Sequence, residues 1–270
     1  ALEHGGHLTH GHSVNWTSKL YKFHHYGVDA NGFIDYKQVS RLALEHKPKL
    51  IICGGSAYPR FVDYAKFKEI AQTVNAILMA DISHEAGLVA GKVAPSPFQF
   101  ADIVTTTTQK TLRGPRGALI FSKKEYGARI DRAVFPGIQG GPHLNTIAAI
   151  GVCLEEAIGK NFKKYAKQVI VNAQALAKEL NAVGFKLISD GTDNHLMLID
   201  LTSWGVTGHE AGLLLEKNGI IVNKNVIPFD TRKPWDPSGI RLGTPAVTTL
   251  GMKEKDMKII ARAIYTILKK

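Results

Sequence analysis

The sequence predicts an α/β protein, with a mainly parallel sheet in the first part of the chain and a smaller α+β part after it. Short apolar runs that end at Cys53 and Asp81 indicate buried parallel strands. Stretches with helical spacing separate these runs, and alternation of strands and helices is typical of a parallel sheet. After about residue 160 the pattern changes to long helices with short strands between them.

The first part of the chain is predicted to form the parallel sheet. Its expected elements are helices at 35–45 and 63–74 and strands at 50–53, 76–81 and 118–122. Residues 19–28 are expected to form a strand and a turn. The threonine-rich run from Asp102 favours an extended chain, and the Gly/Pro cluster at 114–117 ends it. Lys110 is therefore expected near the end of a strand.

The second part is predicted to be a small α+β domain with a short, mostly antiparallel sheet. It begins with a long amphipathic helix at 162–182, and Gly184 follows as a C-cap signal. Thr207 and Glu210 form a capping box, which predicts the start of another helix. The remaining elements are strands at 195–201, 220–223 and 240–243 and a last helix at 257–268.

An acidic side chain and an amine side chain each lie at or near the end of a strand of the predicted parallel sheet. Asp81 ends one strand, and Lys110 lies 29 positions further on, near the end of another. Open α/β sheets bind ligands at the carboxyl edge of their strands. Pyridoxal phosphate requires such a pair, because a lysine amine forms a Schiff base with it and an aspartate keeps its ring nitrogen protonated. The alternative is an edge strand with a solvated lysine.

The composition disfavours several classes of protein. No apolar run reaches the ~18–20 residues that a membrane-spanning helix needs. The two cysteines, Cys53 and Cys153, lie in apolar settings, which disfavours a disulfide framework and favours a reducing compartment. The net charge of +11 is typical of a solvated basic surface or of attraction for anionic ligands. Nucleic-acid binding is disfavoured because no block of five basic residues occurs.

Histidines crowd the first twelve residues, at positions 4, 7, 10 and 12. Imidazoles at this density could share a metal ion. However, no cysteine lies near them, and the glycines between them indicate a backbone that turns sharply or passes close to something. We therefore predict no metal site.

Six motifs of the chain resemble those of the serine hydroxymethyltransferase family. The lysine lies in Val-Thr-Thr-Thr-Thr-Gln-Lys-Thr-Leu-Arg-Gly-Pro-Arg-Gly (104–117), and the aspartate lies in Ala-Asp-Ile-Ser-His-Glu-Ala-Gly-Leu (80–88). The other four are Gly-Gly-His-Leu-Thr-His-Gly (5–11), Gly-Gly-Pro-His (140–143), Gly-Thr-Asp-Asn-His-Leu (191–196) and Gly-Ile-Arg-Leu-Gly-Thr-Pro-Ala-Val-Thr-Thr (239–249). Together they cover essentially the whole chain.

The resemblance implies an aspartate-aminotransferase-like (fold-type I) architecture. Residues 1–160 would form a pyridoxal-phosphate-binding large domain, and residues 161–270 a small α+β domain. The match begins in the middle of the family's length. A phosphate cup, an acid–base glutamate and active-site tyrosines are therefore expected to be missing from the amino-terminal side. We expect the chain to be a fragment or a shortened relative, with little activity alone.

The resemblance also implies roles for individual residues. Catalytic roles fall on Lys110, Asp81, His84, Thr107 and His7, the last stacking on the cofactor ring. The cofactor would also be bound by Lys110, Asp81, His84 and His7, together with Ser56, Gly140 and Gly141. The two glycines would reach the phosphate of the cofactor in a neighbouring subunit. The substrate carboxylate would be bound by Arg241, and the folate by Leu2, Gly6, Leu8 and Asn225. The alternatives are a structural ion pair for Arg241 and an ordinary surface histidine for His84.

The implied reaction is the reversible conversion of L-serine and tetrahydrofolate to glycine and 5,10-methylenetetrahydrofolate. The cofactor would be pyridoxal 5'-phosphate, with tetrahydrofolate as co-substrate. The family also implies a cytoplasmic homodimer or homotetramer with shared active sites and no membrane or nucleic-acid partner. Two alternatives remain: a threonine-aldolase-like cleavage without folate, which the folate-like positions disfavour, and a non-catalytic binding fragment, which the net charge favours.

One position departs from the family pattern inside its most specific motif. Most members carry a histidine where this chain has Gln109, directly before the lysine. Glutamine keeps hydrogen-bonding capacity but does not titrate. A proton-transfer role at this position is therefore not expected, whereas the role of Lys110 is unaffected.

Overall fold

The structure is a computed structural model, and it describes residues 1–269. The strands, in chain order, are β1 (Leu50–Cys53), β2 (Ile77–Asp81), β3 (Ile103–Thr107), β4 (Ala118–Ser122), β5 (Lys186–Leu187), β6 (Leu196–Asp200), β7 (Asn223–Asn225) and β8 (Gly239–Gly243). The α-helices are α1 (Trp16–Leu20), α2 (Tyr36–His46), α3 (Tyr64–Thr73), α4 (Ala86–Ala90), α5 (Lys124–Arg132), α6 (Leu144–Ile158), α7 (Lys160–Ala182), α8 (Gly208–Lys217), α9 (Pro245–Thr249) and α10 (Glu254–Leu268). Short helical turns lie at Leu2–His4, Ala133–Ile138, Ile188–Asp190 and Thr202–Trp204.

The chain packs into two compact units, and each is built from separate stretches of sequence. The parallel-sheet unit comprises Val39–Gly54 and Val62–Ala166. The antiparallel-sheet unit comprises Ala1–Gln38, Gly55–Phe61 and the chain from Lys167 onward. A division into domains 1–160 and 161–270 stays a prediction.

In the parallel-sheet unit, four strands lie in the order β1, β2, β3, β4. The first three are parallel, and β4 pairs antiparallel with β3. Helix α3 connects β1 to β2 and buries Phe67 and Ala71, and the Asp63 side chain caps it by accepting from Lys66 N. The sequence-based prediction of an α/β fold with a mainly parallel sheet is confirmed.

A buried carboxylate fixes the amino-terminal end of this sheet. Asp102 precedes β3, and its Oδ2 accepts from the backbone N of Leu78 at 2.9 Å. Its Oδ1 accepts from Lys68 Nζ at 3.0 Å and also from Lys123 Nζ. Burial acts to raise the pKa of Asp102, but these hydrogen bonds outweigh it and hold the pKa below its usual range. Asp102 therefore joins β2, β3, α3 and the chain after β4 at one point.

Large apolar side chains are exposed on one part of the parallel-sheet unit. They lie on the turn Ala133–Ile138 and on α6, and we call them the α6 surface: Ile138, Leu144, Ile147, Val152 and Ile158. Ile138 is 86% exposed and Leu144 is 73% exposed. Such a concentration of exposed apolar side chains is typical of an interaction site rather than of a solvated surface.

In the antiparallel-sheet unit, the strands lie in the order β5, β6, β8, β7, and every pair is antiparallel. The predicted capping box is confirmed: Glu210 N donates to Thr207 Oγ1 at 3.1 Å, and Thr207 N donates to Glu210 Oε2 at 2.8 Å. Helices α7, α8 and α10 pack on the sheet through one apolar core. Its fully buried members include Leu180, Met197, Ile199, Leu215, Ile240, Met257 and Ile264.

Two local predictions were wrong. Lys19 and Leu20, at the start of the stretch 19–28 predicted as a strand and a turn, belong instead to the helix α1, which Asn15 caps by accepting from Thr17 N at 3.0 Å. The β contact in that region is a single bridge between Val28 and Ile34. Strand β7 begins at Asn223 rather than at residue 220, because only Asn223–Asn225 lies opposite β8.

Within the described residues 1–269, none of the helices is both long enough and apolar enough to cross a lipid bilayer.

Candidate functional site

Two predicted site residues lie at the same edge of the parallel sheet. Asp81 is the last residue of β2 and is in register with Thr105 of β3, two residues before Thr107 at the strand's end. Cys53, the last residue of β1, is paired with Ala80. The carboxyl ends of β1, β2 and β3 therefore meet, which is the ligand-binding edge of an open α/β sheet.

A glycine after β1 allows the backbone to pass against Asp81. Gly54 has φ of +118°, and a Cβ at this position would lie 2.0 Å from the carbonyl oxygen of Asp81. Any other residue would have to displace the end of β2. Gly54 therefore allows the turn after β1 to lie directly against Asp81.

Ser83 ties the aspartate to the neighbouring strand, and sequence reasoning missed it. Its hydroxyl donates to Asp81 Oδ1 at 2.6 Å, and its backbone N donates to the same oxygen at 3.0 Å. The Ser83 Oγ also accepts from the backbone N of Thr107 at 3.1 Å. A serine two residues after an aspartate is a recognisable turn signal, but the contact with Thr107 requires the folded sheet.

Thr111 makes a second link between the same two segments, and it too was missed. Its hydroxyl donates to the carbonyl oxygen of His84 at 2.8 Å and accepts from the backbone N of Gly87 at 2.9 Å. Lys110 directly precedes Thr111 and is half-buried. The structure therefore brings Asp81, His84, Thr107 and Lys110 together on two adjoining, cross-linked segments.

The loop that carries Lys110 is held from its other side as well. Thr108 donates from Oγ1 to the carbonyl oxygen of Pro115 at 2.6 Å, and its own carbonyl oxygen accepts from Gly114 N at 2.8 Å. Cys153 of α6 donates from Sγ to the carbonyl oxygen of Leu112 at 3.3 Å. These contacts fix the backbone on which Lys110 is mounted.

Gln109 has a polar atom that no described residue satisfies. Its Oε1 is buried and has no hydrogen-bond partner within residues 1–269. A buried acceptor without a donor is costly, at about 1–3 kcal/mol. Next to Lys110, such an atom fits a site that is completed by a ligand with an N–H or O–H group.

The thiol at the end of β1 is kept protonated. Burial raises the pKa of the Cys53 thiol, and the negative charge of Asp81 adds to the effect. Cys53 is fully buried. It is therefore an apolar packing residue beside Asp81 and not a nucleophile.

In the antiparallel-sheet unit, Arg241 is a cation with neutral partners. It lies on β8, and its guanidinium donates to the carbonyl oxygen of Ser56 at 2.6 Å and to Asn223 Oδ1 at 3.0 Å. Burial lowers the pKa of Arg241. None of the ion pairs formed among residues 1–269 includes it. Within the described part of the chain Arg241 therefore forms no ion pair, and the site suits an added carboxylate.

The amino-terminal motif packs against the chain around Ser56 in the same unit. The carbonyl oxygen of Gly5 accepts from Ser56 N at 2.8 Å and from Ala57 N at 3.1 Å. A Cβ at Gly6 would lie 2.7 Å from the carbonyl oxygen of Ala1, so the turn needs glycine. His7 follows directly, and its Nδ1 is 2.7 Å from Thr9 Oγ1.

The three remaining folate candidates also lie in the antiparallel-sheet unit. Leu2 begins a short helical turn, and Leu8 is exposed. Asn225 ends β7, opposite Gly239, and its Nδ2 donates to the carbonyl oxygen of Val226 at 2.7 Å. Asn225 shares a sheet with Arg241.

Gly140 and Gly141 lie on an exposed loop of the parallel-sheet unit, before α6. A Cβ at either glycine would meet nothing within 4 Å. Among residues 1–269, no side chain caps the start of α6, at His143. The loop is therefore open to a phosphate or another anion, as backbone N–H groups before a helix commonly are.

The histidines of the amino-terminal motif take part in ordinary contacts. His4 accepts from Val28 N through Nδ1 at 2.9 Å, and burial lowers the pKa of His4. The rings of His7 and His10 are 5.7 Å apart. Within the part of the chain that the structure describes, no group of three or more His, Cys, Asp or Glu residues could hold a metal ion.

The chain is similar to known proteins along almost its whole length. The family model described as serine hydroxymethyltransferase matches residues 1–264. A serine hydroxymethyltransferase from Desulfotalea psychrophila (strain LSv54 / DSM 12343) is 55% identical over 268 residues, which cover 99% of this chain. The chain spans 63% of the length of that relative. The α/β fold with its mainly parallel sheet agrees with the fold-type I architecture of this family, and the chain belongs to the serine hydroxymethyltransferase family.

Proposed function

We propose that the protein carries out the serine hydroxymethyltransferase reaction with pyridoxal 5'-phosphate as cofactor. L-Serine would lose its Cβ as a one-carbon unit to tetrahydrofolate, giving glycine, 5,10-methylenetetrahydrofolate and water. The observation that carries the proposal is that Asp81 ends β2, that Lys110 follows the neighbouring parallel strand β3, and that Ser83 and Thr111 cross-link the two segments.

The residues present fit pyridoxal phosphate. Lys110 offers the amine that would hold the cofactor covalently, and Asp81 offers a carboxylate that would stabilise a proton on the ring nitrogen. The buried, unsatisfied Oε1 of Gln109 fits a site that a ligand completes. When bound, the cofactor supplies an electron sink for the pair of electrons released when a bond to the substrate Cα breaks.

The other residues would bind and orient the substrates. Arg241, with two neutral oxygens as partners, would hold the serine carboxylate as a charge-assisted pair. His7, His84 and Thr107 would lie near the reacting atoms, and Ser56 near the cofactor. Leu2, Gly6, Leu8 and Asn225 would contact the folate. These roles are those that the resemblance to the family motifs implies.

A homodimer or homotetramer completes the proposal. The α6 surface exposes several large apolar side chains, which favours burial against another chain. The open loop at Gly140 and Gly141 lies directly before α6 and would reach the cofactor phosphate of the neighbouring subunit. We further propose a cytoplasmic location. The positive net charge would attract the anionic cofactor and folate rather than nucleic acid.

The test is spectroscopic and uses the natural protein at its full natural length. Covalently bound pyridoxal phosphate absorbs visible light, and borohydride reduction should fix it to the peptide that contains Lys110, as read by mass spectrometry. Lys110→Ala should abolish this absorbance and the modified peptide. Lys124→Ala, a change of an exposed lysine on α5, is the matched control and should retain both. Retention of the absorbance in Lys110→Ala would show that another lysine holds the cofactor.

A further inference from the structure

The contacts of Ser83 are all directed to the two segments that carry Asp81 and Lys110. The hydroxyl donates its proton to Asp81 Oδ1 at 2.6 Å and accepts from Thr107 N at 3.1 Å. The Ser83 backbone N donates to the same Asp81 oxygen at 3.0 Å, and the Ser83 carbonyl oxygen accepts from Thr107 Oγ1 at 3.3 Å. One residue therefore makes four hydrogen bonds to two predicted site residues.

The hydroxyl is the part of Ser83 that the backbone cannot replace. A serine hydroxyl has one proton and two lone pairs. Here the proton is committed to Asp81, and a lone pair receives the N–H of Thr107. An alanine would remove the shorter of the two hydrogen bonds to Asp81 Oδ1 and would leave Thr107 N without this acceptor.

The geometry limits how the Asp81 carboxylate can turn. Two donors from Ser83 meet Oδ1, so rotation of the carboxylate would break at least one short, charge-assisted hydrogen bond. The other end of the link is Thr107, which ends β3 three residues before Lys110. Ser83 thus couples the orientation of the carboxylate to the position of the strand that precedes the lysine.

We propose that Ser83 is a positioning residue for the cofactor site: its hydroxyl holds the Asp81 carboxylate in the orientation that meets the cofactor's ring nitrogen and fixes the end of β3 before Lys110. The inference rests on the proposed function, because the ring nitrogen belongs to pyridoxal phosphate. It goes beyond that function by giving a role to a residue for which the proposed function gives none.

The experiment uses the natural protein at its full natural length, loaded with pyridoxal phosphate. Ser83→Ala is compared with Ser83→Thr, which keeps the hydroxyl. The readouts are the dissociation constant of the cofactor, its circular dichroism in the visible region and the thermal unfolding of the cofactor-free protein. We expect Ser83→Ala to weaken cofactor binding about tenfold, the size of one charge-assisted hydrogen bond, and to change the visible circular dichroism. Ser83→Thr should restore both.

A double-mutant cycle separates positioning from simple stabilisation. In an Asp81→Asn background, the effect of Ser83→Ala on cofactor binding should shrink, because the hydroxyl acts through the carboxylate. An equal loss in both backgrounds would overturn the inference. Should the alanine protein not fold, Ser83→Cys replaces it, since a thiol has similar size but is a weak donor, and the same loss is expected.

The two proposals fail in different ways. If the unsubstituted protein binds no pyridoxal phosphate, the proposed function is wrong. If the unsubstituted protein binds it, and Ser83→Ala binds it equally well with unchanged visible circular dichroism, only the role of Ser83 is wrong.

Discussion

The guanidinium of Arg241 donates a hydrogen bond from Nη1 to the backbone carbonyl oxygen of Ser56, at 2.6 Å. Its second described partner is also neutral, since Nη2 donates to the amide oxygen of Asn223. A planar guanidinium that is bound by two neutral oxygens and partly buried is held in place without being neutralised. Its charge remains available to an anionic ligand.

Arg241→Ala is therefore expected to weaken serine binding far more than cofactor binding. A charge-assisted bidentate pair is worth roughly 1.5–3 kcal/mol, or about one to two decades in affinity. The measurement is a titration of the cofactor-loaded natural protein with serine, followed by the change in visible absorbance. Arg262→Ala, which removes an exposed arginine on α10, should leave the titration unchanged. An unaltered serine titration in Arg241→Ala would mean that the residue serves only the structure.

The sequence was sufficient to predict the elements whose signals are local. The strands at Asp81 and before Lys110, and the capping box at Thr207, were predicted correctly because apolar runs and capping residues act over a few positions. The hydrogen bonds of Ser83 and Thr111 were not predicted, because their partners lie 24 and 27 positions away. Such contacts depend on the register of β2 against β3, which no short motif specifies.

The contacts of Arg241 and Gln109 could not be predicted for a related reason. The sequence left a substrate carboxylate or a structural ion pair as the partner of Arg241, and it did not show that the guanidinium donates to neutral oxygens of Ser56 and Asn223. Likewise, Gln109 was recognised as a departure from the family pattern, whereas its unsatisfied Oε1 is a property of the folded loop. Whether a polar atom is buried, and whether it has a hydrogen-bond partner, depends on packing between segments that are distant in the sequence.

Gln109→Leu should not destabilise the cofactor-free protein. The substitution removes a buried oxygen that has no donor within residues 1–269, and such an atom costs about 1–3 kcal/mol in the folded state. The free energy of unfolding, measured by urea denaturation, is expected to stay the same or to rise. Gln168→Leu is the comparison. The Gln168 Nε2 donates to Asn172 Oδ1 at 2.9 Å, and the loss of this hydrogen bond should lower the free energy of unfolding. A clear loss of stability in Gln109→Leu would mean that Gln109 has a partner in solution.

Asp102→Asn should lower stability at neutral pH, and the difference should disappear in acid. The folded-state pKa of Asp102 is depressed, so its ionised form contributes stability that is present above the unfolded-state pKa of about 3.9. That contribution is lost as the pH falls through the lower, folded-state value. We expect a cost of about 1–3 kcal/mol at pH 7, since asparagine keeps only one of the two acceptor oxygens and has no charge, so that either Lys68 or Leu78 N loses its buried acceptor.

Urea denaturation of the natural protein and of Asp102→Asn over a series of pH values checks this prediction. Asp131→Asn, a change of an exposed aspartate on α5, should show no such dependence on pH. A difference between Asp102→Asn and the natural protein that stays constant down to the lowest accessible pH would mean that the carboxylate charge is not the cause.

The last prediction concerns residues 1–270 on their own, which span 63% of the length of the Desulfotalea psychrophila relative. We expect them to show little folate-dependent cleavage of serine, even with excess pyridoxal phosphate. No residue of the chain matches the acid–base glutamate that the family resemblance implies, and loss of general acid–base catalysis costs on the order of 10²–10⁴ in rate. The loop at Gly140 and Gly141 would provide only one side of a phosphate site.

The measurement is turnover of residues 1–270 beside a second protein, in which the amino-terminal segment of the Desulfotalea psychrophila relative precedes Ala1. The extended protein should bind the cofactor more tightly and cleave serine faster, because it would add the phosphate ligands and the acid–base glutamate that the family resemblance implies. Within the shorter chain, His84 is the residue best placed to take over part of the proton transfer, since its backbone is hydrogen-bonded to Thr111 beside Lys110. Equal turnover in the two proteins would mean that residues 1–270 already contain a complete catalytic set.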